Sequence, residues 1–181
     1  LRRKCVDLVA ARPKVGKSVF ADNVALNVAS DGIPVLVLDT EMSKEDHLNR
    51  IIANLSGVPI QDVATGKFID DDEQNQKVHE AVEHISQIPY NYVSVAGKPF
   101  EQILNIIKRW IIQDVKMDDN GRTNECVVVY DYLKLMSSNS ITNNIQEYQA
   151  LGFQITNLHN LAVKFDFPCL SFVQLNRDGI T

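Results

Sequence analysis

Short apolar runs alternate along this chain with longer stretches whose apolar residues recur every three or four positions. The runs at residues 6–10, 35–39, 92–95, 126–130 and 169–173 read as strands. Two parallel strands cannot be joined by a tight turn, so strands separated by helical stretches point to βαβ units. The pattern predicts an α/β fold with a mostly parallel central sheet and helices on both faces. Cys126-Val127-Val128-Val129-Tyr130 is nearly continuous in apolar character, as a strand buried on both faces requires.

The intervening segments carry helix signals. Phe20, Val24, Ala25 and Val28 form an apolar stripe over residues 19–29, and Asp31-Gly32 ends it. Ser43 with Asp46 is a capping box that opens a helix through Leu48, Ile51, Ile52 and Leu55 to Gly57. Asp70-Asp71-Asp72-Glu73 reads as an acidic first helical turn, followed by the stripe Val78, Ala81, Val82 and Ile85. Pro99 opens a helix with Ile103, Ile106, Ile107 and Trp110 on one face, Trp110 being expected in the core. Residues 116–125 form a polar loop, residues 137–144 a mobile loop rich in Ser and Asn, and residues 146–165 the last helix.

The chain has 181 residues, 45% of them apolar, enough for one sizeable core. One domain over residues 1–181 is expected, and its Leu start and abrupt Gly179-Ile180-Thr181 end suggest a piece truncated at both ends. A net charge of -5 repels a polyanion at long range, so any nucleic-acid contact needs a local patch. Cys5, Cys126 and Cys169 each lie beside an apolar run without metal-ligand spacing and read as core thiols of a reducing compartment. No apolar run reaches bilayer length and no signal-peptide core follows the basic start, so a cytoplasmic location is expected.

Ala11-Arg12-Pro13-Lys14-Val15-Gly16-Lys17-Ser18 fits the phosphate-loop pattern with Ala in place of the first glycine. It follows one predicted strand and precedes a helix, so backbone N–H groups and the positive helix end converge on an anion-sized space. Lys17 is then expected to reach the β- and γ-phosphates of ATP or another nucleoside triphosphate, and Ser18 to ligate Mg2+. No G-x-G-x-x-G follows a predicted strand, which disfavours a dinucleotide-binding domain.

Asp131 arrives at the carboxyl end of the apolar strand, where it would hold magnesium through water beside Ser18. Asp39 and Glu41, at the end of the second strand, are both candidates for the group that orients or deprotonates water, and Glu41 lies further toward the γ-phosphate. Gln174 ends the last strand and could sense the γ-phosphate.

Taken together, the segments A-R-P-K-V-G-K-S, D-T-E-M-S, V-V-V-Y-D-Y-L-K-L-M and S-F-V-Q-L-N-R resemble, in order and over nearly the whole chain, the RecA-like motor domain of DnaB-type replicative helicases. In that family an alanine commonly starts the phosphate loop. The resemblance implies that Glu41 is the catalytic glutamate, that Asp131 serves the metal, and that Gln174-Leu175-Asn176-Arg177 is the γ-phosphate sensor segment. It further implies single-stranded DNA as a partner, a hexameric ring, and a primase or loader. The loop at residues 137–144, with Lys134 nearby, would face the channel, while an arginine finger and a second DNA loop would follow Thr181. A filament-forming recombinase or a nucleotide-gated regulatory ATPase of the same RecA-like class is the alternative.

Overall fold

The computed structural model describes residues 1–133 and 147–174. Five strands, β1 (Val6–Ala11), β2 (Val35–Asp39), β3 (Tyr90–Ser94), β4 (Val127–Leu133) and β5 (Cys169–Gln174), form one parallel sheet in the order β1-β5-β4-β2-β3. The helices are α1 (Lys17–Ser30), α2 (Lys44–Ser56), α3 (Ile60–Thr65), α4 (Asp72–Gln87), α5 (Phe100–Trp110) and α6 (Glu147–Phe165). The last described strand slots between the first and the fourth. That insertion sets Ala11 beside Gln174, and the pairing of β2 with β4 sets Asp39 beside Asp131, both toward the carboxyl edge of the sheet.

Alternation along the strands divides the core. Leu36, Leu38, Val128 and Tyr130 face α5 and α6, where Ile103, Ile107, Trp110, Leu158 and Ala162 are buried. Val35, Val37, Val127 and Val129 face α1 on the other side. Helices therefore cover both faces, as the strand composition requires. A satellite cluster of Ile52, Val58, Val63, Val78 and Ala81 joins α2, α3 and α4.

Several local expectations shift. The buried face of α1 is Ala21, Ala25 and Ala29, with Val24 and Val28 partly buried beside it, while Phe20 is 52% exposed and meets Phe172 edge to face, with ring centroids 6.2 Å apart. Alanines one turn apart let the helix backbone lie close to the sheet, a preference that outranks side-chain size here. Val82 of α4 is likewise 44% exposed. Asp131 lies inside β4 rather than beyond it, because β4 runs on to Leu133, and the third strand starts at Tyr90. The helix α3 buries only Val63, so its six residues carry no periodic signal. The expected Ser43 cap forms, its Oγ accepting from the Asp46 N–H at 3.1 Å, whereas Asp71 is the N-cap of α4 rather than part of its first turn and accepts from the N–H groups of Glu73 and Gln74. Cys126 and Cys169 are buried, Cys5 partly so, and all three are free. The loop at 137–144, Lys134, and Leu175-Asn176-Arg177 fall outside the described residues.

Candidate functional site

The phosphate-loop pattern sits where the local sequence can hold it. Gly16 has φ 93° and caps α1, with the Phe20 N–H bonding its carbonyl at 2.9 Å. A built Cβ would meet nothing within 4 Å, so the constraint on this glycine is its left-handed backbone rather than space. Lys14 also takes a positive φ, 64°, so the loop reverses twice before Lys17 begins the helix. Such a turn directs successive N–H groups inward beside the positive end of α1.

This loop forms one wall of a cavity of about 790 Å³ at the carboxyl edge of the sheet. Arg12, Pro13, Lys14, Gly16, Lys17 and Ser18 line it together with Glu41 and Gln174. Three segments far apart in sequence thus meet in one space. Val15 is 63% exposed, and Ala11 ends β1 behind the loop.

Asp131 stands beneath the loop. Its Oδ1 lies 3.7 Å from Lys17 Nζ, an ion pair too long to be a hydrogen bond. Oδ1 itself is buried without a hydrogen-bond partner. Burial raises the Asp131 carboxyl above the usual range, and the Ser18 hydroxyl and the Lys17 charge only oppose that shift. A hydroxyl beside a desolvated carboxylate with an open oxygen is a hard-oxygen pair that suits Mg2+. No group of three or more His, Cys, Asp or Glu able to hold a metal occurs among the described residues.

The two carboxylates after β2 have different tasks. Asp39 is 5% exposed, and its Oδ1 accepts the N–H groups of Glu41 and Met42 at 2.7 and 2.9 Å. Burial raises its carboxyl, although those two bonds pull it down. The Met42 carbonyl accepts from Ser94 Oγ at 2.7 Å and from the Tyr92 hydroxyl at 3.0 Å, pinning the turn to β3. Glu41 is left exposed at the cavity wall, its Oε1 accepting from the Tyr132 hydroxyl at 3.0 Å.

Sequence reasoning missed the opposite wall. Asp22 of α1, 5% exposed, and Arg50 of α2 both line the cavity. Burial pushes Asp22 up to about 7 and His47 down to about 4, so their 3.8 Å approach joins two groups that both favour neutrality. His47 in turn hydrogen-bonds the Tyr90 hydroxyl at 2.9 Å and stacks on Tyr92 with centroids 3.8 Å apart. The only local hint was the i, i+4 spacing that puts Asp22 one turn after Ser18.

A parallel sheet sandwiched by helices, with its phosphate-type loop between β1 and α1 and an acidic strand end at β4, defines a RecA-like P-loop domain. The family model described as DnaB-like helicase C terminal domain matches residues 1–179, and the chain belongs to that family. The replicative DNA helicase DnaB of Helicobacter pylori is 26% identical over 170 residues, covering 94% of this chain and 32% of the relative. That of Haemophilus influenzae is 29% identical over 172 residues, covering 94% and 34%. The chain spans about a third of the length of these relatives. Among solved structures, one of an ATPase domain superimposes with a TM-score of 0.83 at 23% identity, over 98% of this chain and 59% of that one. The structure of a DnaB-like replicative helicase and its interactions with primase gives 0.82, also at 23%, over 97% and 40%. These likenesses extend the fold assignment to the whole described sheet. No helix among the described residues is long and apolar enough to cross a membrane.

Proposed function

We propose that this chain is the ATP-hydrolysing motor domain of a hexameric replicative helicase, which couples hydrolysis to movement along single-stranded DNA and to duplex unwinding. The observation that carries the reading is the meeting of Lys17, Ser18, Glu41 and Gln174 around one cavity. In this role Lys17 holds the β- and γ-phosphates, and Ser18 and Asp131 hold Mg2+, which supplies charge neutralisation at the phosphates when bound. Glu41 orients or deprotonates the attacking water, and Gln174 senses the γ-phosphate from the neighbouring strand end. The two backbone hydrogen bonds that commit Asp39 Oδ1 to shaping the turn support giving the base role to Glu41 over Asp39.

The named relatives, replicative helicases all, favour a translocating motor over a recombinase or a nucleotide-gated switch. DNA, a ring of identical subunits, and a primase or loader are the partners this reading implies, and the cytoplasm is where it places them. The net charge of -5 means that DNA contact depends on local groups and on neighbouring subunits.

ATP turnover by the intact protein, with and without single-stranded DNA, tests the reading. DNA-stimulated hydrolysis accompanied by strand separation is expected. The isolated residues 1–181 should turn over slowly, since an arginine supplied in trans is worth about 10³ to 10⁵ in rate. ATP binding by the intact protein without DNA-stimulated turnover would favour the regulatory switch.

A further inference from the structure

Tyr132 occupies the space between the two groups on which hydrolysis depends. Its hydroxyl donates to Glu41 Oε1 at 3.0 Å, and Lys17 Nζ lies 3.5 Å from its ring centroid. The residue is only 8% exposed and packs with Val129 and Leu170 in the α1-facing core. An exposed glutamate samples many rotamers, whereas a hydroxyl anchored in the core offers one fixed point. The ring face also attracts the Lys17 ammonium. One side chain thus touches both the expected phosphate-binding cation and the expected base.

We infer that Tyr132 is a positioning residue for hydrolysis, aiming the Glu41 carboxylate with its hydroxyl while its ring seats the Lys17 ammonium. The inference rests on the proposed role of Glu41. It divides Tyr132 into two separable parts: the hydroxyl serves turnover, and the ring serves the cation. Tyr132→Phe removes only the first.

The test is a double-mutant cycle in the intact protein, measuring steady-state ATP turnover and nucleotide affinity for wild type, Tyr132→Phe, Glu41→Gln and the double variant. Tyr132→Phe is expected to keep nucleotide affinity within about twofold while kcat falls about tenfold, the scale of one lost hydrogen bond to a charged group. In the Glu41→Gln background the same change should alter turnover by less than about twofold, because the carboxylate it served is gone. Unchanged kcat in Tyr132→Phe, or an equal loss in both backgrounds, would overturn the inference and leave Tyr132 a packing residue. Full turnover by Glu41→Gln would instead overturn the base assignment, and this inference with it. Should Tyr132→Phe not fold, Tyr132→Met, which removes the hydroxyl and the ring together, is expected to lose at least about tenfold in kcat and to weaken nucleotide affinity as well, and unchanged kcat there would overturn the inference.

Discussion

Two aspartates, one near each end of the sheet, show what distinguishes a structural carboxylate from a binding one. Asp166 precedes β5 at the amino edge, where its Oδ2 accepts from Arg122 Nε at 3.0 Å and lies 3.4 Å from Arg3 Nε. Desolvation raises its carboxyl, but the Arg122 bond and the charges of Arg3, Arg122 and Lys4 outweigh it and leave the group below the usual range. Asp131, near the carboxyl edge, has one lysine at 3.7 Å, and desolvation prevails; each aspartate keeps a buried Oδ1 without a hydrogen bond, so the two differ in countercharge alone. At one end the fold has supplied the countercharge. At the other it has left room for a countercharge that arrives with a ligand, which is the arrangement expected at a functional site.

The largest expected effect lies within the carboxyl edge itself. Glu41→Gln should reduce ATP turnover by about 10² or more while keeping nucleotide affinity, the scale of a lost general base. Asp39→Asn should do much less, since an amide oxygen can still accept the N–H groups of Glu41 and Met42. Steady-state kinetics on both variants decide it, and reversed effects would move the catalytic role to Asp39.

The two ends should also respond oppositely to neutralisation. Asp131→Asn is expected to hold or raise the melting temperature at neutral pH and to weaken magnesium-dependent nucleotide binding by about tenfold or more. Asp166→Asn should cost about 1–3 kcal/mol of stability and leave nucleotide affinity intact. Thermal melts beside nucleotide titrations give both coordinates. If both variants lost stability alike, the contrast between the two ends would fail.

How much of this could be read from the sequence depends on how local each signal is. The loop at residues 11–18, Glu41, Asp131 and Gln174 were legible because each lies where an apolar run stops near the carboxyl edge, although β4 and β5 run far enough to include Asp131 and Gln174 themselves. Tyr132 was visible only as a letter in a matching segment. Its task depends on Lys17 and Glu41, respectively 115 and 91 positions away (132 − 17 and 132 − 41), and β4 had to extend past Asp131 to bring them together. Arg3 and Asp166 are 163 positions apart, and no pattern along the chain announces their pairing. On α1 the expected stripe is met by Ala25, which is fully buried, and by Val24 and Val28, which pack against the same core, while Phe20 alone leaves it and the smaller Ala21 and Ala29 lie against the sheet.

A smaller effect concerns pH. The Asp22 carboxyl rises from 3.8 to about 7 in the fold, so the folded state binds its proton more tightly than the unfolded chain does. The associated stability is complete below 3.8 and is lost as the pH climbs toward 7. His47, lowered from 6.5 to about 4, acts oppositely, with stability lost as the pH falls through that window. Asp22→Asn should therefore raise the melting temperature relative to wild type most at pH near 8 and less near pH 5. A larger gain at pH 5 than at pH 8 would reverse the sign and remove Asp22 from the set of uncompensated carboxylates.

A magnesium nucleotide is expected at the carboxyl edge, held by the loop between β1 and α1. Calorimetric titration of ATP in the presence of Mg2+, for the wild-type protein beside Lys17→Ala, tests this most directly. Lys17 is the side-chain cation that begins α1 within the cavity, so its removal should weaken binding by at least about tenfold, the loss of one charge-assisted contact to phosphate. Equal affinity in the two proteins would contradict the assignment of this loop as the phosphate site.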